Sequence, residues 1–220
     1  MFKKLCFVFL MGSLGMVIIA FLVQAQVKKE DLALYLEETP HLDFNNQVFT
    51  EILSKSISED MSLEQKLEEI FYFINDSITF VPDASLRASE ALKKRKAICC
   101  TKAMIYVSFC RRLGVPAAVA LEEFVIKGSP KESLHAHGIA RIFYNGKWIY
   151  IDTVSNREAW MYWHKEGAAA FEAPKFSLEK NVVADEKFIY RVAYKNFETN
   201  DVPQEWLDSL QSFQEKGRWK

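Results

Sequence analysis

The dipeptide Asn145-Gly146 constrains this chain more than any other pair of residues. It lies between two alternating runs, Gly138 to Tyr144 and Lys147 to Asp152. A two-residue hairpin turn needs positive φ at its centre, which Asn and Gly adopt at little steric cost. Such a turn places Tyr144 opposite Lys147, Ile139 opposite Asp152 and His137 opposite Val154. Side chains alternate along a strand, so His137, Ile139 and Asp152 share a face and Asp152 is diagonal to His137. Diagonal neighbours are about 7–8 Å apart at the backbone, within reach for an imidazole and a carboxylate. His135 lies on the same face, one step further along. It is a rival for the same role and sits less well for Asp152.

Upstream, Cys99 to Leu113 is strongly helical. Cys99, Ala103, Val107 and Cys110 recur at helical spacing and define one face. Gly114 and Pro116 form the stop signal. Cys99 therefore opens a helix, where the first N–H groups have no helical partner and the dipole favours an anion. That position lowers a thiol pKa and exposes the thiolate, the actual nucleophile. A carboxylate on one ring nitrogen of a histidine fixes its tautomer, and the other nitrogen then takes the thiol proton. Cys99, His137 and Asp152 are thus the candidate nucleophile, base and orienting group. The basic run Lys93 to Lys96 reads as a solvated helix end. Cys100 projects about 100° around the helix from Cys99 and reads as a packed neighbour, and Cys110 reads as core.

Around these segments the chain divides into four parts. Residues 26–60 are polar and irregular and read as a linker or N-terminal extension. A capping box, Ser62-Leu63-Glu64-Gln65, opens a helix carrying Leu67, Ile70, Phe71 and Ile74 on one side. Residues 61–200 form the main domain. Helices precede antiparallel strands in it, the last strand containing Phe188, Tyr190, Val192 and Tyr194, and this order specifies an α+β domain. Pro203 opens a C-terminal helix over 201–220 with Trp206, Leu207, Leu210 and Phe213 on one side. Trp148, Trp160 and Trp163 read as packing residues, and His41 and His164 have no supporting context.

At the N-terminus, Lys3 and Lys4 precede the apolar run Leu5–Val23, and Val23 and Ala25 stand at the −3 and −1 positions before Gln26. Residues 1–25 read as a signal peptide or an N-terminal membrane anchor, and the remainder as extracytoplasmic, periplasmic or secreted. A formal net charge of −1 leaves no basic excess, which argues against nucleic acid as a partner. The three cysteines beyond this segment are too few and too odd in number for a disulfide framework, and one is a candidate reactive thiol.

The stretch Ala97-Ile98-Cys99-Cys100-Thr101-Lys102-Ala103, continuing to Arg111-Arg112-Leu113-Gly114-Val115-Pro116-Ala117, resembles the nucleophile helix of the transglutaminase-like superfamily. His137 to Asp152, with Gly146 and Trp148 between, resembles that family's histidine and aspartate motifs. The motif register selects Cys99 over Cys100 and His137 over His135. The resemblance covers roughly Ser62 to Thr153, and departs from the family's usual residues at Ala97, Ile139 and Thr153. It implies a papain-like core with the nucleophile helix packed on an antiparallel β-sheet. It also implies cysteine-dependent acyl transfer on amide bonds, as a peptidase or amidase or as protein-glutamine crosslinking. The substrate would be a protein or peptide, without a cofactor, and membrane contact would be through the N-terminal segment alone.

Two other classes compete. One is a non-catalytic transglutaminase-like binding module in the cell envelope. The other is a copper or zinc site built from Cys99, Cys100, His135 and His137, whose spacing is weaker than usual zinc patterns. Export is expected for a reporter fused to the N-terminal segment, and the intact mass of the product separates cleavage after Ala25 from a retained anchor. A reporter that stays cytoplasmic and soluble contradicts the assignment.

Overall fold

The computed structural model describes residues 32–81, 85–126, 134–154, 175–183, 189–197 and 199–208. The run Leu5–Val23, the residues Phe188, Trp160, Trp163 and His164, and the end of the C-terminal segment, including Leu210 and Phe213, lie outside them.

Helix α1 (Gln47–Ser56) starts at Asn46, whose side chain accepts a hydrogen bond from the Val48 N–H. Its Phe49 and Ile52 are buried, as are Leu42 and Phe44 just before it. Of the two readings for 26–60, linker or N-terminal extension, the described part is an extension packed into the core. Asp43 in the same stretch caps helix α3 (Ala88–Lys94), accepting from the Ser89 N–H at 3.0 Å and the Ser89 hydroxyl at 2.6 Å. The residue at that helix's own N-cap, Arg87, makes no side-chain cap bond, so the start of α3 depends on a carboxylate brought from outside it.

Helix α2 (Leu63–Ser77) begins with the expected capping box. The Ser62 hydroxyl accepts from the Gln65 N–H at 3.2 Å, and the Gln65 side chain accepts from the Ser62 N–H at 2.8 Å. Strand β1 (Thr79–Phe80) follows and pairs in parallel with β2 (Lys96–Ala97), with α3 as the connection. Arg95, at φ 55°, turns the chain from α3 into β2.

Helix α4 (Cys99–Arg112) is enclosed on all sides, because every residue from Cys99 to Arg111 is buried. The single apolar face read from Cys99, Ala103, Val107 and Cys110 is thus too narrow. Its two buried cations stay inside by bonding to backbone. Lys102 Nζ donates to the Ile74 carbonyl at 3.2 Å, near the negative end of α2. The Arg111 guanidinium donates to the carbonyls of Ala117, Glu37 and Asn200, tying the segments before α1 and after the sheet to the end of α4. Burial lowers the Arg111 pKa to about 10, which leaves it charged at neutral pH.

The sheet has the order β5-β4-β3-β6, with β3 (Ala117–Ile126), β4 (Leu134–Tyr144), β5 (Lys147–Ile151) and β6 (Ile189–Asn196), all neighbours antiparallel. The β4–β5 register runs from Tyr144↔Lys147 to Ala140↔Ile151, the pairing that Asn145-Gly146 dictates, and both turn residues have positive φ. Ala140, Ile142, Ile149 and Ile151 belong to the core shared with α4. On the opposite face Arg141 lies over the Trp148 ring at 4.3 Å. Tyr150 and Tyr194 stack with centroids 4.0 Å apart although they sit on the two outer strands. A flat sheet would hold those strands about 14 Å apart, so this sheet curls.

Replacing Phe49, buried and edge-on to Phe109 at 4.8 Å, by alanine should lower unfolding free energy by about 3–5 kcal/mol. Denaturant unfolding measures it, and a loss below about 1 kcal/mol would make the N-terminal extension peripheral to the fold.

Candidate active site

The start of α4 is built to receive an anion. Its N-cap is Ile98, which offers no side-chain cap, and no acidic residue lies in the first turn. The N–H groups of that turn and the positive end of the dipole are left to the first residues, Cys99 and Cys100. Strand β4 then approaches this start closely. A Cβ at Gly138 would lie 2.7 Å from the Cys100 Cα and 2.9 Å from Cη2 of Trp206. Only glycine permits that approach, which brings the neighbouring His137 to the Cys99 sulfur.

His137 Nε2 lies 2.8 Å from Asp152 Oδ1. The same carboxylate oxygen accepts from the Val154 N–H at 2.8 Å, and the Asp152 N–H donates to the Val182 carbonyl at 2.6 Å. Both side chains are largely buried, at 14% and 6% exposure. His137 also interacts electrostatically with Cys99, each favouring the charged form of the other. With Nε2 engaged by Asp152, Nδ1 is the nitrogen left for the sulfur. The structure thus brings together Cys99, His137 and Asp152, the three residues singled out from the sequence.

Their electrostatics are mutually dependent. A hydrogen bond from Cys100 is the largest influence on Cys99. With the His137 bond and charge and the Gly138 N–H, it outweighs burial and holds the Cys99 thiol well below the ordinary range. Burial opposes a charged imidazole at His137, but the Asp152 charge and hydrogen bond, joined by Cys99, hold its pKa well above the usual value. The Cys99 bond, burial and the Cys99 charge push the Cys100 thiol well up, and burial pushes Cys110 up. These shifts favour a thiolate on Cys99 and an imidazolium on His137, and disfavour charge on Cys100 and Cys110.

Phe80, Ile98 and Val154 form an apolar cluster with Cys99 and Cys100, and Leu86 and Trp206 pack against it. Cys99 itself is 3% exposed. His135 stands opposite Phe124 in the backbone register, and its side chain lies outside those described. His41 does have a context. It pairs with Asp201 at 2.8 Å and fastens the C-terminal segment to the N-terminal extension. Lys93 to Lys96 are exposed, as expected of a solvated helix end. Among the described residues no three His, Cys, Asp or Glu side chains gather as a metal site, and no helix is long and apolar enough to cross a membrane.

Sequence reasoning did not place Gly138, Val154 or Trp206 at the site, and read Cys100 as a packed neighbour or a candidate metal ligand. A glycine isolated within a strand pattern is the one available signal, because it marks close backbone approach.

Residues 51–153 match the family described as the transglutaminase-like superfamily. Comparison with curated proteins gives no match. Among solved structures, the chain is similar to one described as a "Putative Cysteine Protease from Cytophaga hutchinsonii", at 20% identity and a TM-score of 0.45. That match covers 56% of this chain and 42% of the other.

The pH dependence follows from the two shifts. The lowered Cys99 pKa means the pair forms above it and is lost as pH falls through it. The raised His137 pKa means the pair is lost as pH rises through that value. Thiolate absorbance assigned to Cys99 should persist well below pH ~8.5, the free-thiol value. Asp152→Asn should lower the His137 pKa and shrink the window from its alkaline side. A Cys99 that titrates near pH ~8.5 contradicts the pair.

Proposed function

We propose, from the match of residues 51–153 to the transglutaminase-like superfamily, that this protein is a cysteine-dependent enzyme of acyl transfer on amide bonds. The observation that carries the reading is the 2.8 Å His137–Asp152 contact beside a cysteine at a helix start. The Cys99 thiolate attacks the amide carbonyl carbon, and the carbonyl π electrons move to oxygen. The Cys99 backbone N–H, unpaired by the helix, is one donor to that oxyanion. On collapse the C–N bond breaks, the amine leaves with the proton held on His137, and a thioester remains. His137 then takes a proton from the group that resolves the thioester. Water gives a peptidase or amidase, and a lysine amine gives a crosslinking enzyme. Asp152 holds the ring in place through both halves. The substrate is a protein or peptide met outside the cytoplasm, in keeping with the Leu5–Val23 run.

One observation favours a second reading, a non-catalytic binding module: Cys99 is only 3% exposed. Limiting iodoacetamide at neutral pH, followed by peptide mapping, separates the two. For an enzyme, Cys99 labels before Cys100 and Cys110, and His137→Ala slows that labelling. Amine release from a library of peptide amides should vanish in Cys99→Ala and fall about 10²–10⁴-fold in His137→Ala. Equal labelling of Cys99 and Cys100 with no amine release would favour the binding module.

A further inference from the structure

Cys100 takes no part in the mechanism above, yet its sulfur lies 3.8 Å from that of Cys99, and both residues are buried. That separation is within sulfur hydrogen-bond range. The direction of the bond follows from the surroundings. The His137 side chain and the Gly138 N–H favour charge on the Cys99 sulfur. Cys99 is therefore the acceptor and Cys100 the donor. The Cys100 backbone is held in place, because its Cα sits under Gly138, where a Cβ would come within 2.7 Å of it. A disulfide between the two is disfavoured. Neighbouring residues on a trans peptide have Cα atoms about 3.8 Å apart, short of the usual disulfide range of about 4.4–6.8 Å.

We propose that Cys100 is a positioning residue whose S–H donates to the Cys99 sulfur, keeping it a thiolate and fixing its orientation beside His137. The proposal deepens the acyl-transfer reading and rests on it. A thiol as donor supports the buried anion without adding a charge beyond that of His137. Arginine or lysine there would bring its own desolvation cost.

The test is a pH titration of thiolate absorbance on the full chain, with the Cys99 signal taken as the difference from a matched Cys99→Ala protein. Cys100→Ala and Cys100→Val remove the donor, and Cys100→Ser keeps one. The non-donor variants should raise the Cys99 midpoint by about one pH unit, that is, cost about tenfold in thiolate population on the acid side. Cys100→Ser should stay close to the native midpoint. Near-ultraviolet circular dichroism selects the variants that fold, and Cys100→Ser decides alone if neither non-donor does. An unmoved midpoint in a folded non-donor variant overturns the proposal. So does a midpoint that Cys100→Ser moves as far as they do, or, when it decides alone, moves by about one unit. The acyl-transfer reading fails differently, through a Cys99 midpoint unmoved by His137→Ala.

Discussion

Two ionisable groups, the Cys99 thiol and the His137 imidazole, are taken out of water where the start of α4 meets β4. An isolated charge buried in that way costs several kcal/mol and would titrate to neutrality instead. Here the charged form of each group is favoured by the other, and each has further partners. Asp152 and, through it, the Val154 N–H support the imidazolium, while Cys100, Gly138 and the helix start support the thiolate. Removing one partner from such an arrangement leaves an uncompensated charge, so the whole site depends on the closeness of β4 to α4.

That closeness depends in turn on how α4 is held. Its flanks carry aromatic contacts, with Phe49 and Phe73 against Phe109 and Phe71 against Tyr106. Its polar residues Lys102 and Arg111 are satisfied by carbonyls from distant segments. The N-terminal extension and the C-terminal segment are joined to each other through the Thr39–Asp201 and His41–Asp201 contacts. The same C-terminal segment delivers Trp206 to the apolar cluster around Cys99. The helix start is thus positioned by chain from both sides of the α4–sheet core, which is how residues outside 51–153 influence the geometry inside it.

The hairpin was legible because its cause is local. Asn145-Gly146 accepts the φ values that a two-residue turn needs, and period-two alternation then carries the register to His137 and Asp152. Cys99 was legible from the helical run it opens and from its register with the transglutaminase-like motif, although the helix start carries no capping signature. Features that arise from tertiary approach were not. Leu42, Phe44, Phe49 and Ile52 are scattered through a polar stretch, and nothing in their spacing shows that Asp43 caps a helix begun at residue 88. Lys102 and Arg111 make α4 look half exposed, although carbonyls of Ile74, Glu37 and Asn200, far along the chain, satisfy them. The curl that stacks Tyr150 on Tyr194 joins the two edge strands, and no local pattern encodes it. Gly138 carries only the weak signal of a glycine within a strand.

The protonation state of His137 tests the buried ion pair most directly. Nitrogen-labelled histidine NMR reads both ring nitrogens in the intact protein without requiring access to the site. With the pair present, both nitrogens of His137 carry protons at pH ~7, above the ordinary histidine value of about 6.5. The titration midpoint then falls when Cys99 is replaced by alanine. A His137 that is neutral at that pH, with a midpoint indifferent to Cys99, would contradict the ion pair.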